Sequence, residues 1–415
     1  MSSHTIAVFG AGYVGLIQAV ALHSLGNKVY LVDIDEERLE LIRKRKAPIF
    51  EKGLDAMLAS ANFDTFIPTS DAKEAIENAD VLFICVGTPS QGTSQDTRAL
   101  EAVSKTIGKN LDSFKVVVVK STVLPGTTQD IVGKTIETTS GLNAGEDFGL
   151  AMNPEFLREG TALHDFFHGD RTVIGVEDER SKTILSEIYD LKESTHFCSI
   201  KEAELVKYAS NSFLALKISF ANEIGNLCKR LGLDAYRVLE LTGKDSRIGE
   251  KFLESGIGYG GSCFPKDVAA LIGLYEREGL PLRTINAAHE ANEHQHERLI
   301  EIMKQHHDLR GAKVGVLGLA FKRGTDDTRA SPAIRTIRSL MSEGAMITAF
   351  DPQAMDRARS ELPTISYASS AQELIDENDL IVILTDWPEF EKLDYEDKPV
   401  FLGRKLNVKG EGITW

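Results

Sequence analysis

The chain has little cysteine and arranges it in no framework. Its four cysteines, Cys85, Cys198, Cys228 and Cys263, are scattered over 415 residues without a CxxC pair. Such spacing indicates neither a zinc site nor a set of disulfides, so no metal is expected, and it fits a reducing, cytoplasmic setting. Long hydrophobic runs are missing too: none reaches the ~18 residues that a membrane span requires. The opening MSSHTIAVFG passes straight into an apolar run and leaves no room for a secretory leader. Positive charge is in deficit. A net charge of -15 argues against nucleic acid or an anionic membrane as partner. An anionic ligand would have to be held by local Lys and Arg. Hydrophobic content of 42% and charged content of 26% are those of ordinary globular chains, and the length suggests two or three domains.

What is present is an alternation of strands and helices. Thr5–Phe9, Lys28–Val32, Val81–Val86, Val116–Lys120 and Phe148–Met152 are short apolar runs rich in β-branched residues and read as buried strands. Helical stretches between them imply a parallel, doubly wound sheet, with ligands at the carboxyl ends of the strands. Near residue 199 the texture changes. Ser199-Ile200-Lys201-Glu202 matches a capping box, and a helical pattern then runs to about Leu231, closed by Gly232. Further helix is expected over Ala235–Leu241, Val268–Glu278 and Pro281–Gln305. From about Gly311 the strand and helix alternation returns, with strands at Lys313–Leu317, Met346–Phe350 and Asp379–Leu384 and a helix at Pro332–Glu343. The expected fold is α/β: two Rossmann-like doubly wound domains joined by a mostly helical middle domain with a long central helix. The expected boundaries are 1–198, 199–305 and 306–415.

Chemistry concentrates in a few runs. Gly10-Ala11-Gly12-Tyr13-Val14-Gly15 follows a strand and opens a helix, the context a dinucleotide fingerprint needs. Asp33 lies 18 residues past Gly15, where an acceptor for the adenosine ribose belongs, and its carboxylate would repel a 2′-phosphate. NAD rather than NADP is therefore expected, with Arg38 near the adenosine end. Cys263 sits in Gly258-Tyr259-Gly260-Gly261-Ser262-Cys263-Phe264-Pro265-Lys266-Asp267. Glycines permit close approach of a ligand, and Lys266 and Asp267 put a cation and a carboxylate within a turn of the thiol. A hydride acceptor plus a nucleophilic thiol suggests oxidation through a sulfur adduct; a small buried cysteine in a turn is the ordinary alternative. Glu155 and Glu159 share a face if Pro154 starts a helical turn, as a general acid/base pair or as two surface acids. Lys207 and Asn211 share a helical face, either as groups aimed at a developing alkoxide or as a snorkelling lysine and its neighbour. Arg247, Lys322 and Arg329 are either the local cations that hold a diphosphate or solvated surface charges. The run GVLGLAF after the Lys313 strand is a degraded fingerprint, compatible with a second nucleotide-like ligand or with a structural turn.

GAGYVGL, STVLPGTT, NPEFLREGTA, EAELVKYASNSF, GYGGSCFPKD and LGLAFKRGTDDTR occur in that order, within a stretch of likeness from residue 5 to about 352. Together they resemble the UDP-glucose/GDP-mannose dehydrogenase family. That resemblance implies NAD-dependent, four-electron oxidation of the C6 alcohol of a nucleotide sugar, and a homodimer or higher homo-oligomer formed through the helical middle domain. It makes Cys263 the nucleophile of thiohemiacetal and thioester intermediates, Lys207 and Asn211 the oxyanion pair, and Thr122 and Asp267 the pair handling water and proton transfer. Glu155 becomes the acid/base of thioester hydrolysis. Gly10, Gly12, Tyr13, Val14, Gly15, Asp33, Arg38, Thr88, Thr122, Glu159, Lys266 and Arg329 correspond to NAD contacts. Glu155, Phe156, Leu157, Arg158, Lys207, Asn211, Arg247, Phe252, Leu253, Tyr259, Gly260, Lys322 and Arg404 correspond to contacts with the UDP-sugar. Asp245-Ser246-Arg247-Ile248-Gly249 followed by Lys251-Phe252-Leu253 resembles the glucose branch, and Ser262 stands where relatives acting on N-acetylated sugars carry His. UDP-glucose oxidised to UDP-glucuronate, a polysaccharide precursor, is thus the implied reaction, with GDP-mannose or another UDP-hexose as alternative. The family's Asp-Gly-Arg-like run is here Leu402-Gly403-Arg404, which leaves base recognition by Arg404 open. A two-electron β-hydroxyacid-type dehydrogenase needs a lysine and no thiol; a silent NAD-binding module needs none of Cys263, Lys207 and Glu155. Asp33→Asn should weaken NAD by about 10- to 100-fold and relax rejection of NADP. Paired kcat/KM values for the two coenzymes check this, and unchanged discrimination would remove Asp33 from the ribose site.

Overall fold

A computed structural model describes residues 4–92, 94–189 and 194–414. Residues 1–3, part of the run from which the absence of a leader is read, lie outside them. The chain forms two compact units, Met1–Ala209 and Ser210–Trp415.

The first unit is built on eight strands: β1 (Thr5–Phe9), β2 (Lys28–Val32), β3 (Phe66–Thr69), β4 (Val81–Ile84), β5 (Val116–Val119), β6 (Gly149–Met152), β7 (Thr172–Val176) and β8 (Thr195–Cys198). Their order in the sheet is β8-β7-β6-β5-β4-β1-β2-β3. Pairing is parallel from β3 to β6; β7 meets β6 antiparallel, and β8 follows β7. Ile6 and Val8 pack into one hydrophobic cluster while Ala7 and Phe9 pack into another on the opposite face. A strand covered on both faces has no polar alternate positions, which is why these segments read as continuous apolar runs. Sheet order reverses between β1 and β4, the place where doubly wound sheets bind ligands. Helix α1 (Tyr13–Ser24) starts straight after the glycine loop. Gly10 has φ +101°, and a Cβ on Gly15 would lie 1.8 Å from the Gly10 carbonyl oxygen, so both positions require glycine.

Helix α2 (Ile200–Leu231) is 32 residues long, about 48 Å. Its capping box forms as expected: the Ser199 amide and hydroxyl both donate to the Glu202 carboxylate at 2.8 Å. Gly232, at φ +69°, follows its last turn. The second unit continues with α3 (Ala235–Gly243), α4 (Phe264–Arg277), α5 (Arg283–His294) and α6 (Glu297–His306). The single helix expected over Pro281–Gln305 is therefore divided. The Gln295 and His296 carbonyls accept from the Arg298 and Leu299 amides, three residues on, which tightens the turn. The buried Gln295 side chain meanwhile bonds Asn226 and the Gly256 carbonyl at 2.9 Å.

The second sheet comprises β9 (Lys313–Leu317), β10 (Met346–Phe350), β11 (Ser366–Tyr367), β12 (Leu380–Ile383), β13 (Val400–Leu402) and β14 (Glu411–Gly412), all parallel in the order β11-β10-β9-β12-β13-β14. Helix α7 (Pro332–Ser342) packs against it. The two Rossmann-like sheets and the intervening helical segment are those expected, and no helix among the described residues is long and apolar enough to cross a membrane.

The glycine loop after β9 is braced by an acid of its own unit. Asp351, at the end of β10, is 1% exposed and takes the Leu319 and Ala320 amides at 2.7 and 3.1 Å. It also accepts from the Gln353 and Ala354 amides and from the Trp387 indole. Two amides of the loop are thus held by the protein's own carboxylate, as the Ala11 amide is held by Asp33 in the first unit. Asp351→Ala strands these buried donors, each worth about 1–3 kcal/mol. A destabilisation of more than about 3 kcal/mol is expected in denaturant melts; a loss below ~1 kcal/mol would contradict this account.

Candidate active site

In the first unit the glycine loop is shaped for a dinucleotide. Nothing lies within 4 Å of a Cβ built on Gly12, so the loop is open at the one glycine that the protein itself does not crowd. Asp33 stands at the end of β2, its carboxylate accepting the Ala11 amide and, at 2.9 Å, the Asp35 amide. Arg38 lies 3.5 Å from Asp33 and 3.3 Å from Asp35. Beside them the apolar side chain of Ile34 is fully exposed. The Tyr13 hydroxyl donates to the buried Glu51 carboxylate, and the Gly160 amide reaches the same carboxylate at 2.8 Å. This contact ties the glycine loop to the segment carrying Glu159. Thr88 is buried and donates to the Thr122 carbonyl at 2.8 Å, which Gln95 also holds at 2.6 Å.

The helical turn at Pro154 on which a shared face of Glu155 and Glu159 depended does not form. Residues 153–158 are irregular because Glu155 folds back on its own backbone, accepting the Leu157 amide at 2.8 Å. Glu155 is 7% exposed and meets Lys207, 3% exposed, at 2.8 Å; the same ammonium donates to the Glu155 carbonyl at 2.7 Å. Lys207 thus faces inward rather than snorkelling. Burial alone would raise the Glu155 carboxyl, but the Lys207 charge and hydrogen bond, the Leu157 amide and the Lys120 charge outweigh it and hold it below the usual range. Phe156 is stacked on by Arg171, 4.2 Å from its ring centroid, and Arg158 forms a fork on Asp165. One turn before Lys207, buried Glu204 accepts the Gly126 and Thr128 amides at 2.6 and 2.7 Å. Glu204 and Lys207 thereby fasten the loops after β5 and β6 to one helix. Lys120 and Asn153 complete this buried network, and neither is among the site residues expected from the sequence.

In the second unit Cys263 is the N-cap residue of α4, partly buried, its Sγ 3.5 Å from the Ser262 hydroxyl. Lys266 turns to Asp267 at 2.5 Å, and the Asn211 amide donates to the other Asp267 oxygen at 2.6 Å. Asn211 and Asp267 are 6% and 1% exposed. The glycines before Cys263 have a second reason to be glycine: a Cβ on Gly260 would lie 2.3 Å from the Ala330 carbonyl oxygen. The loop is crowded by its own chain as well as suited to a ligand. Phe252, at φ +66°, and Tyr259 flank the Phe264 ring at 6.1 and 6.0 Å, and Leu253 is buried. Arg404 donates to the Gly258 carbonyl at 2.6 Å. Arg247 and Arg329 each clamp a nearby acid, Asp245 and Asp327, and Lys322 lies 5.5 Å from the Phe321 ring.

The NAD-binding-domain model of the UDP-glucose/GDP-mannose dehydrogenase family matches residues 4–192, its central-domain model residues 201–294 and its UDP-binding-domain model residues 315–414. The chain belongs to that family. It is an NAD-dependent nucleotide-sugar dehydrogenase, and Gly12 and Asp33 suit that coenzyme. A UDP-glucose 6-dehydrogenase of Haloferax volcanii is 41% identical over 425 residues, covering 99% of each chain. The structure of a UDP-glucose dehydrogenase from the archaeon Pyrobaculum islandicum is also 41% identical, with a TM-score of 0.95 over 100% of this chain and 98% of that one. A UDP-D-ManNAc dehydrogenase of Pyrococcus horikoshii is 28% identical, with a TM-score of 0.87 over 99% of each chain.

A carboxyl held low in the folded state contributes stability above the ordinary carboxylate range and ceases to do so as pH falls through its folded value. Lys207→Met, which leaves Glu155 buried without its ion pair, should cost about 3–5 kcal/mol near pH 7 and progressively less toward about pH 4. Melts across that range check the sign; an equal loss at every pH would refute it.

Proposed function

We propose that the protein is a UDP-glucose 6-dehydrogenase that converts UDP-glucose to UDP-glucuronate through sulfur-bound intermediates on Cys263. The observation that carries this reading is Cys263 at the N-cap of α4. A thiol there is superfluous for oxidising an alcohol to an aldehyde, and the positive end of a helix favours the thiolate. NAD, which the glycine loop and Asp33 would hold, would supply the acceptor for each hydride leaving C6. A proton leaves the C6 hydroxyl as its hydride departs, giving the aldehyde. The Cys263 thiolate then adds to the carbonyl carbon, forming a thiohemiacetal. Loss of a second hydride leaves a thioester, and water cleaves it to the carboxylate and the free thiol. The sum is one alcohol, two NAD and one water to one carboxylate, two NADH and three protons. Lys207 and Asn211 stabilise charge on the C6 oxygen. Glu155 is the acid/base of hydrolysis; Thr122 and Asp267 order the water and take protons.

The glycine loop, Asp33, Arg38, Thr88, Glu159, Lys266 and Arg329 are the proposed coenzyme contacts. Phe156, Leu157, Arg158, Arg247, Phe252, Leu253, Tyr259, Gly260, Lys322 and Arg404 are those of the UDP-sugar. The proposed functional division is NAD-binding 1–198, helical 199–305 and UDP-sugar-binding 306–415, in a cytoplasmic enzyme. A homodimer formed through α2 accounts for Phe213, Phe220 and Leu227, which stand at seven-residue spacing and are 60%, 46% and 54% exposed. NADH released per sugar consumed, with UDP-glucose, GDP-mannose and UDP-N-acetylglucosamine side by side, tests the reading. A ratio close to two with UDP-glucose, and no acid formed by Cys263→Ala, is expected. A ratio close to one, or full activity in Cys263→Ala, would overturn the covalent route; turnover of another sugar alone would move the substrate.

A further inference from the structure

Lys120 is a buried cation to which the reaction above gives no task. It follows β5, is 6% exposed, and its ammonium donates to the Asn153 side-chain oxygen at 2.7 Å. It forms no ion pair with a carboxylate among the described residues, an arrangement that ordinarily destabilises a fold. Its partner is held from three other directions. The Tyr189 hydroxyl donates to the same Asn153 oxygen at 2.6 Å, the Asn153 side-chain amide donates to the Val173 carbonyl at 2.7 Å, and its backbone amide donates to the Val119 carbonyl at 2.9 Å. Asn153 therefore anchors the first residue of the irregular segment that carries Glu155 two positions later. Three other groups also act on the Lys120 site or its anchor: Cys85 after β4, Lys207 on α2 and Tyr189 beyond the helix at Glu179–Ile188.

We propose that Lys120 is a positioning residue for Glu155: through Asn153 it fixes the backbone bearing that carboxylate, and it adds a second cation to the buried network in which Lys207 holds Glu155. The proposal rests on the role of Glu155 given above. It also predicts an alkaline limit. Burial pulls the Lys120 ammonium down to about 8, Cys85 and Glu155 acting to raise it and Lys207 to lower it. The second cation is therefore lost as pH rises through that value.

The test compares wild type, Lys120→Met and Lys120→Arg for kcat and KM with UDP-glucose and NAD across pH. Alongside, difference infrared spectroscopy follows the Glu155 carboxylate band, identified with Glu155→Gln, as pH is lowered. Lys120→Met should lose about 10- to 100-fold in kcat, keep both KM values within roughly threefold, and move the Glu155 midpoint to higher pH. Lys120→Arg, whose charge persists at alkaline pH, should restore most of kcat and shift the alkaline limb upward. Wild-type kcat in Lys120→Met, or a loss confined to KM with an unchanged Glu155 midpoint, would overturn the proposal. Should Lys120→Met fail to fold, an unmoved alkaline limb in Lys120→Arg overturns it alone. A wild type that oxidises no nucleotide sugar defeats the functional reading instead, and the infrared midpoint still decides the role of Lys120.

Discussion

Removing a carboxylate from water is costly unless a cation meets it, and the Glu155–Lys207 pair is where the first unit satisfies that constraint. Because one ammonium holds both the carboxylate and the carbonyl of Glu155, the loop after β6 cannot shift without breaking two contacts at once. Glu204, one turn earlier, applies the same logic to the loop after β5, with the roles of anion and backbone exchanged. The start of α2 is thus a rivet through the strand ends where ligands of doubly wound sheets bind. The helix is continuous because it carries no Gly or Pro before Gly225, and its capping box fixes where it begins.

Much of this was legible in the sequence, for physical reasons that differ by element. Strands covered on both faces, such as β1, β2 and β9, announce themselves because after a polar first residue each is a run of buried, mostly apolar positions. The edge strands β3 and β8 gave no such signal: β3 contains Pro68, and β8 is only partly buried. A shared helical face for Glu155 and Glu159 was open in the sequence because Pro154 is a common first residue of a helix. What decides that segment is Glu155 turning to the Leu157 amide and to Lys207, a residue 52 positions away. Lys120 and Asn153 were invisible for the same reason: a lysine ending a strand reads as a surface charge until the fold closes over it.

The glycine-rich run before Cys263 shows how one composition answers two demands. Read as sequence, it is a place a ligand can approach; folded, Gly260 also yields to the Ala330 carbonyl. Its glycines belong to the packing of the second unit as much as to the chemistry of the thiol. The two β-strand acids diverge in a similar way. Asp351 is saturated by five donors of its own unit, whereas Asp33 holds two amides beside Arg38 and the exposed Ile34.

That bond from Asp33 to the Ala11 amide has an evolutionary consequence. Ala11 lies inside the glycine loop, so the carboxylate proposed to meet the coenzyme's ribose also helps to set the loop's shape. A lineage drifting toward the phosphorylated coenzyme could not simply exchange the acid for a neutral or basic residue. It would first need another acceptor for that amide, so exchange of the acid at position 33 is a two-step change, constrained by the geometry of the loop as well as by charge.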